Sequence, residues 1–374
     1  MKIYFDNAAT TPVAPEVIQA MTETLNDVFG NPSSIHEYGR KARVLIENSR
    51  KSVANNLNVS PSEIIFTSGG TEADNTAIRG AVFDLGVKHI ITSKIEHPAV
   101  LNTLDILEKE NKVKVSFVKL TENGHIDLNN LEEILSTTSN SMVSLMHANN
   151  EIGNLLPMKD VSGICEKYNA FFMSDTVQTM GKYANNFQNF NLHFAACSAH
   201  KFYGPKGIGF LYINGNNKIS PMLFGGGQER GMRSGTENIH GIVGLAKAME
   251  LSYLHLERDQ KNISEMKSLM IALLKEKVNG ISFNGDCENG GLYSLLNVSF
   301  PKTMKSEMLL QNLDINGIAV SGGSACASGS VHVSHVLEEI STDIDRPSIR
   351  FSFGRYNNVE EVKYTVEKLV QHLN

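Results

Sequence analysis

Short apolar runs that close on polar or glycine residues recur through the first two thirds of this chain, with helical stretches between them. Glu63-Ile64-Ile65-Phe66-Thr67 leads into Ser68-Gly69-Gly70-Thr71, and Lys88-His89-Ile90-Ile91-Thr92 has Glu96-His97 just past its end. Ser141-Met142-Val143-Ser144-Leu145-Met146 ends in His147-Ala148-Asn149-Asn150-Glu151, and Ala170-Phe171-Phe172-Met173-Ser174 ends in Asp175. Phe194-Ala195-Ala196-Cys197-Ser198 leads to Lys201, and Ile208-Gly209-Phe210-Leu211-Tyr212 follows. Continuous apolar runs of this length read as strands buried on both faces. Their alternation with helices predicts an α/β fold with a mainly parallel sheet. Such sheets bind ligands at the carboxyl ends of their strands, so the polar residues after each run are the candidate site.

A helical stretch from about Ile239 to Lys277 separates this region from a second block, and the domain boundary is expected within it. In the second block Leu295-Leu296-Asn297-Val298-Ser299-Phe300 and Ile349-Arg350-Phe351-Ser352-Phe353 alternate as strands of a half-exposed sheet. With 374 residues, two domains are expected. No internal repeat is visible. Ser321-Gly322-Gly323-Ser324-Ala325-Cys326-Ala327-Ser328-Gly329-Ser330 is built of small residues that pack little, which predicts a mobile loop.

Composition narrows the function classes. Hydrophobic residues at 41% and charged residues at 20% suit a soluble protein with a sizeable core. The net charge of -6 and the absence of a basic stripe argue against direct nucleic-acid binding. No apolar run is long enough to span a bilayer, and the N-terminus turns polar too soon for a signal peptide, so a cytoplasmic location is expected. Cys165, Cys197, Cys287 and Cys326 are scattered without a CxxC pair, which suggests neither a disulfide framework nor a zinc ribbon. Cys165 and Cys197 fall in helix and strand patterns and read as core residues, and Cys287 reads as an exposed loop thiol.

Lys201 lies in Ser198-Ala199-His200-Lys201 with Gly204 and Pro205 close behind, a lysine on a tight turn at a strand end. Desolvation there lowers an amine's pKa and frees its lone pair for Schiff-base chemistry. Alone, the run is better read as a surface lysine in a glycine-rich loop, and the rest of the chain reverses that. Gly69-Gly70-Thr71, between strand and helix, offers backbone N–H groups and a positive dipole end to a phosphate, and is also an ordinary turn. Asp175, with Gln178 three residues on, fits the partner of a protonated ring nitrogen, or a helix N-cap. His97 fits a stacking or proton-carrying group, or a satisfied loop histidine. Taken together, phosphate cup, ring partner, stacking group and amine are what pyridoxal 5'-phosphate requires.

With these residues in place, the chain resembles the NifS/IscS-like cysteine desulfurases of the class V aminotransferase family. The resemblance runs almost end to end. It includes Phe5-Asp6-Asn7-Ala8-Ala9-Thr10-Thr11-Pro12, Gly30-Asn31-Pro32-Ser33-Ser34 and Phe66-Thr67-Ser68-Gly69-Gly70-Thr71-Glu72. Asn149-Asn150-Glu151-Ile152-Gly153, Gly225 to Thr236, Ser324-Ala325-Cys326 and Ser348-Ile349-Arg350-Phe351-Ser352 continue it. It implies the aspartate-aminotransferase-like fold, pyridoxal-phosphate fold type I, with a seven-stranded sheet in a large domain over 14–256. A smaller α+β domain of 1–13 and 257–374 would carry the Cys326 loop. It also implies roles. Lys201 would hold the cofactor as a Schiff base. Thr71, Ser198, His200 and the Gly70 backbone would bind the phosphate, with Thr236 reaching across a homodimer. Asp175 would face the pyridinium nitrogen, Gln178 the ring hydroxyl and His97 the ring face. Asn150 and Arg350 would orient the substrate carboxylate, a guanidinium fork suiting two-point contact.

The same resemblance implies that L-cysteine is the substrate, that the Cys326 thiolate takes its sulfur as a persulfide, and that alanine leaves. The long Ser-Gly-Gly-Ser-Ala-Cys loop is similar to the first desulfurase group rather than the Suf-type. Two departures stand out. His332 and His335 follow Cys326, as loop residues or in a Cys-x5-His-x2-His metal spacing. The chain also lacks the C-terminal extension with which longer members dock a cluster scaffold protein, so both a scaffold and a tRNA-thiolating enzyme remain open as sulfur acceptor. The rival readings are a selenocysteine lyase or aminotransferase, which would not need Cys326, and a non-catalytic thiol sensor, which would not need Lys201, Asp175 and Arg350 together.

Overall fold

The computed structural model describes residues 1–322, 324–327, 330–340, 343 and 345–373, with the backbone alone described at 324–327 and 330–333. The chain opens with a short strand β1 (Ile3–Tyr4) and helices α1 (Pro15–Asp27) and α2 (Glu37–Leu57). Strand and helix then alternate: β2 (Ile64–Thr67), α3 (Gly70–Phe83), β3 (His89–Thr92), α4 (Pro98–Lys109), β4 (Lys114–Phe117), α5 (Leu128–Ser136), β5 (Ser141–Ser144), α6 (Met158–Lys167) and β6 (Phe171–Asp175). β7 (Phe194–Ser198) and β8 (Gly209–Ile213) complete a seven-stranded sheet of order β2-β8-β7-β6-β5-β3-β4. Its neighbours pair in parallel except at β8, which runs antiparallel to both β7 and β2.

Both faces of this sheet are covered, so its strands lack a polar face. The period of two is preserved in which core each residue enters. Phe66, Ile91, Val143, Cys197 and Phe210 pack with α1, α2, α5, α6 and the later helix α7 (Ile239–Leu254). Ile65, Ile90, Met142, Ala196 and Leu211 pack on the other side with α3 and α4. β4 was not expected from the sequence. It is an edge strand with exposed ends and no apolar run, and its ladder with β3 holds it in place.

The helical stretch expected across residues 239–277 is two helices. α7 ends at Leu254, and α8 (Leu256–Lys277) starts after His255, which leaves helical geometry at ψ 10°. The apolar partners change at that break. α7 packs into the core beneath the large sheet, whereas Ile263, Met266, Met270 and Leu274 of α8 enter a second core. There they meet β9 (Ser282–Phe283), β10 (Leu295–Ser299), α9 (Leu309–Ile315), β11 (Ile318–Ala319) and, further on, β15 (Ser348–Ser352) and α11 (Val359–Leu373). Between them lie β12 (Ser321–Gly322), the antiparallel pair β13 (Ser324–Ala327) and β14 (Ser330–Val333), and α10 (His335–Glu339). The sheet β12-β15-β10-β9 is antiparallel, and β1 pairs in parallel with β11.

β10 and β15 form where expected but are buried along almost their whole length rather than half-exposed. Leu296, Val298, Ile349 and Phe351 face the second core, while Leu295 on the opposite face packs with Ala8, Ala148 and Leu292. That contact brings the second sheet against the carboxyl edge of the first. Cys287 is also corrected: it is 2% exposed, and its Sγ donates toward the carbonyls of Asn284 and Ile152 at 3.0 and 3.3 Å. Cys165 and Cys197 are buried as expected.

Candidate active site

The carboxyl ends of the parallel strands open on a cleft of about 210 Å3, lined by residues from five separate strand ends. Gly70, Thr71 and Asp74 come from the start of α3, His97 from the turn after β3, and Asn150 from the turn after β5. Asp175 ends β6, with Val177 and Gln178 behind it, and Ser198, His200 and Lys201 follow β7. Nine of the expected site residues thus share one cavity. The glycines make the close approach possible: a Cβ on Gly70 would stand 2.8 Å from Val177 Cγ2, and one on Gly209 would stand 2.1 Å from the Cys197 carbonyl oxygen.

Lys201 closes a short 3-10 turn, Ala199–Lys201, directly after β7. Its Nζ donates to the carbonyls of Ala8 and Ala9 at 2.7 and 2.8 Å. Burial, and then the Arg350 charge, push the amine down to about 8, against the opposing pull of Asp175 and Asp6. Asp175 is 8% exposed, and its Oδ1 accepts the Val177 N–H at 2.9 Å. Asp175 therefore caps a turn and not the helix N-terminus that its position also suggested, and it lines the cleft. Burial raises its carboxyl pKa, and His97, the Val177 N–H and Lys201 oppose that rise.

His97 is the N-cap of α4, its Nδ1 accepting the Ala99 N–H at 3.1 Å, which puts the proton of the neutral ring on Nε2. Burial favours the neutral ring, with Lys201 and His335 adding to the effect. His200 Nδ1 lies 3.1 Å from Thr10 Oγ1, and burial together with Lys201, Lys206 and Lys182 lowers it to about 4.

Two expected residues stand elsewhere. Thr236 lines a separate cavity of about 70 Å3 with Thr67, Ser68, Glu229 and Arg233, so the structure does not bring it to Lys201. Arg350 does not line the cleft. On β15 it pairs with Asp6 through Nη2 at 2.9 Å and donates from Nη1 to the Asn150 carbonyl at 2.8 Å. Its buried Nε has no partner among the described residues. The Cys326 and His332 side chains lie outside the described residues, as do the mobility expected of their loop and the Cys-x5-His-x2-His metal spacing. His335 is described, and its Nε2 meets the Glu96 carbonyl at 3.1 Å.

Two acids went unassigned in the sequence. Asp74 is 1% exposed, and its Oδ1 has no hydrogen-bond partner among the described residues. Burial and the nearby Asp175 and Glu96 hold its pKa well above the usual carboxyl range. A signal existed: a carboxylate one turn into α3 between Ala73 and Ala77, both buried, is out of place in an apolar helix face. Glu96, 2% exposed, is pushed up to about 8 by burial, although Ser93 Oγ and the Met146 N–H contact its oxygens at 2.7 and 2.9 Å.

The residues fit pyridoxal phosphate. The 14-residue helix α3 presents its N-terminus at Gly70, where Thr71, Ser198 and His200 can add donors to a phosphate. At the other end a buried acid awaits a cationic partner, and the orphaned Asp74 oxygen has capacity for a donor. Asp74, His97 and Asp175 also bring one ligand atom each within 4.8 Å of one another. For a metal, however, His97 would have to offer the Nε2 that carries its proton.

Residues 3–365 match the class-V aminotransferase family. The chain is 41% identical to a cysteine desulfurase IscS of Dictyoglomus turgidum, over 98% of this chain and 93% of that one. Among solved structures it resembles a NifS-like protein with a TM-score of 0.91 and 38% identity, covering 100% of this chain and 99% of the other. It also resembles SspA in complex with cysteine, with a TM-score of 0.83 and 32% identity, covering 96% and 100%. With the family matched over nearly the whole chain and relatives of nearly the same length about 40% identical, the chain belongs to the class-V aminotransferase family, among its pyridoxal-phosphate-dependent, IscS/NifS-like cysteine desulfurases.

Proposed function

We propose that this enzyme removes sulfur from L-cysteine, releasing L-alanine and leaving a persulfide on Cys326. The observation that carries the reading is a Lys201 amine lowered to about 8 inside a cleft that also holds Asp175, His97 and a helix N-terminus. Bound pyridoxal phosphate supplies an electron sink for the charge left when the substrate Cα proton is removed. Asp175 would keep the ring nitrogen protonated, Gln178 would donate to the ring hydroxyl and His97 would cover the ring. Thr71, Ser198, His200 and the Gly70 N–H would hold the phosphate. Lys201 Nζ would anchor the cofactor and carry the Cα proton. Asn150 and Arg350 orient the substrate carboxylate, with the Arg350 Nε free to donate. The Cys326 thiolate attacks the substrate sulfur, the carbon–sulfur bond breaks, and the electron pair returns to carbon and takes up a proton.

A homodimer completes the site. Thr236 lies away from Lys201 in its own chain, so it would serve a partner's phosphate. Exposed Phe29, Ile35, Tyr38 and Phe224 offer apolar surface for such a partner. Residues 14–256 form the cofactor-binding domain, and 1–13 with 257–374 form the smaller one. The sulfur passes to a cluster scaffold or a tRNA-thiolating enzyme. No helix among the described residues is long and apolar enough to cross a membrane, in keeping with a cytoplasmic place.

The test is anaerobic turnover of L-cysteine with a thiol reductant, assaying alanine and sulfide for wild type and Cys326→Ser. Equal amounts of both products from wild type, and neither from the variant, are expected. Equal activity in both proteins would exclude the persulfide route.

A further inference from the structure

Gln178 reaches the cleft from the turn after β6, and its amide is gripped at both ends. Nε2 donates to the Ala8 carbonyl at 2.9 Å. On the other side, Lys182 Nζ lies 3.0 Å from the Gln178 backbone oxygen and 3.4 Å from its Oε1. The Ala8 carbonyl can only accept, so the amide nitrogen must face it, and Oε1 is then turned to receive Lys182 Nζ. That orientation spends one amide N–H on Ala8 and leaves the second for the cleft that Gln178 lines. The Ala8 carbonyl is the same oxygen that receives Lys201 Nζ, so a continuous chain of contacts joins Lys182, Gln178, Ala8 and Lys201.

Resting on the cofactor reading above, we propose that Lys182 is a positioning residue for the cofactor: it braces the Gln178 amide in the orientation that turns its second N–H toward the ring hydroxyl. Gln178 supplies both acceptors that Lys182 contacts among the described residues. Lys182 has no carboxylate within ion-pairing distance among the described residues, and burial with the nearby Lys201 lowers it to about 7. The charge of Lys182 in turn lowers His200. The groups that bear on Lys201 itself are Arg350, Asp175 and Asp6, with His97 across the cleft.

Loss of Lys182 frees the Gln178 amide to turn away from the ring hydroxyl, whose oxygen then becomes more basic. That favours a proton on the Lys201 nitrogen beside it. The test is a pH titration of the visible absorption of the purified holoenzyme for wild type, Lys182→Met, Lys182→Gln and Lys182→Arg, with cofactor retention on dilution measured alongside. The Met and Gln variants should move the spectral transition to higher pH by about one unit, a roughly tenfold change in proton affinity, and release cofactor faster. Arg, which keeps the donors, should show no such upward shift. Coincident transitions for wild type and either neutral variant would overturn the proposal, as would an Arg variant shifted as far as Met. If wild type shows no visible band that Lys201→Ala abolishes, the underlying cofactor reading fails instead.

Discussion

The lowered Lys201 amine makes the most direct prediction. An amine reacts with an aldehyde only when unprotonated. With its pKa moved from 10.5 to about 8, about one Lys201 in eleven is reactive at pH 7, against roughly one in 3,000 for an unperturbed lysine, a gain of about 300-fold. Burial is the largest cause, with the Arg350 guanidinium next. The assay is imine formation between cofactor-free protein and pyridoxal phosphate, followed by absorbance from pH 6 to 10, with Lys201→Ala as the blank. The logarithm of the rate should climb with unit slope to about pH 8 and then flatten. In Arg350→Met the break should move to higher pH, because a like charge has gone. Linkage adds a sign. The native state binds fewer protons than the unfolded chain between pH 8 and 10.5, so this group adds stability to the cofactor-free protein as pH rises through that window. A rate that climbs past pH 9 without a break would refute the argument.

Two further outcomes follow from buried acids. Glu96 is raised from 4.5 to about 8, so its contribution to stability is whole below pH 4.5 and is lost as pH rises to 8. Glu96→Gln, which keeps the shape of the neutral acid, should match wild type at pH 4.5 and gain about 2–4 kcal/mol by pH 8 in urea unfolding, whereas a pH-independent difference would contradict a neutral Glu96. Glu229 pairs with Arg50 through two contacts of 2.7 and 2.8 Å and accepts the Phe66 N–H at 2.8 Å, with both ions nearly fully buried. Glu229→Ala should therefore cost about 3–5 kcal/mol of unfolding free energy, and a loss under 1 kcal/mol would show that the uncompensated guanidinium finds water.

The sheet was legible because its strands are apolar on both faces and end in conspicuous polar residues. β4 was not legible, because an edge strand needs no apolar run. The break at His255 was hidden because helical periodicity continues through it and only the packing partner changes. Site residues that belong to a motif, such as Asp175 and Lys201, could be read from local sequence. Asp74 and Lys182 could not, because their meaning lies in neighbours from other strand ends. Cys287 misled for the converse reason: a polar, glycine-containing surround suggests a surface loop, yet this loop is pressed against the carbonyl of Ile152.

The pairing of Ile3 with Ile318 carries a consequence for synthesis. Ribosomes add roughly 5–20 residues per second, so β1 waits on the order of 15–60 s for its partner to emerge. Through that interval residues 3 and 4 lack their ladder, while Thr11 and Ala14 can already meet His200 and Tyr203. The N-terminal segment is thus fastened in two stages, first to the large core and later to the small one. A fusion or truncation at residues 3 and 4 would disturb the later stage rather than the earlier.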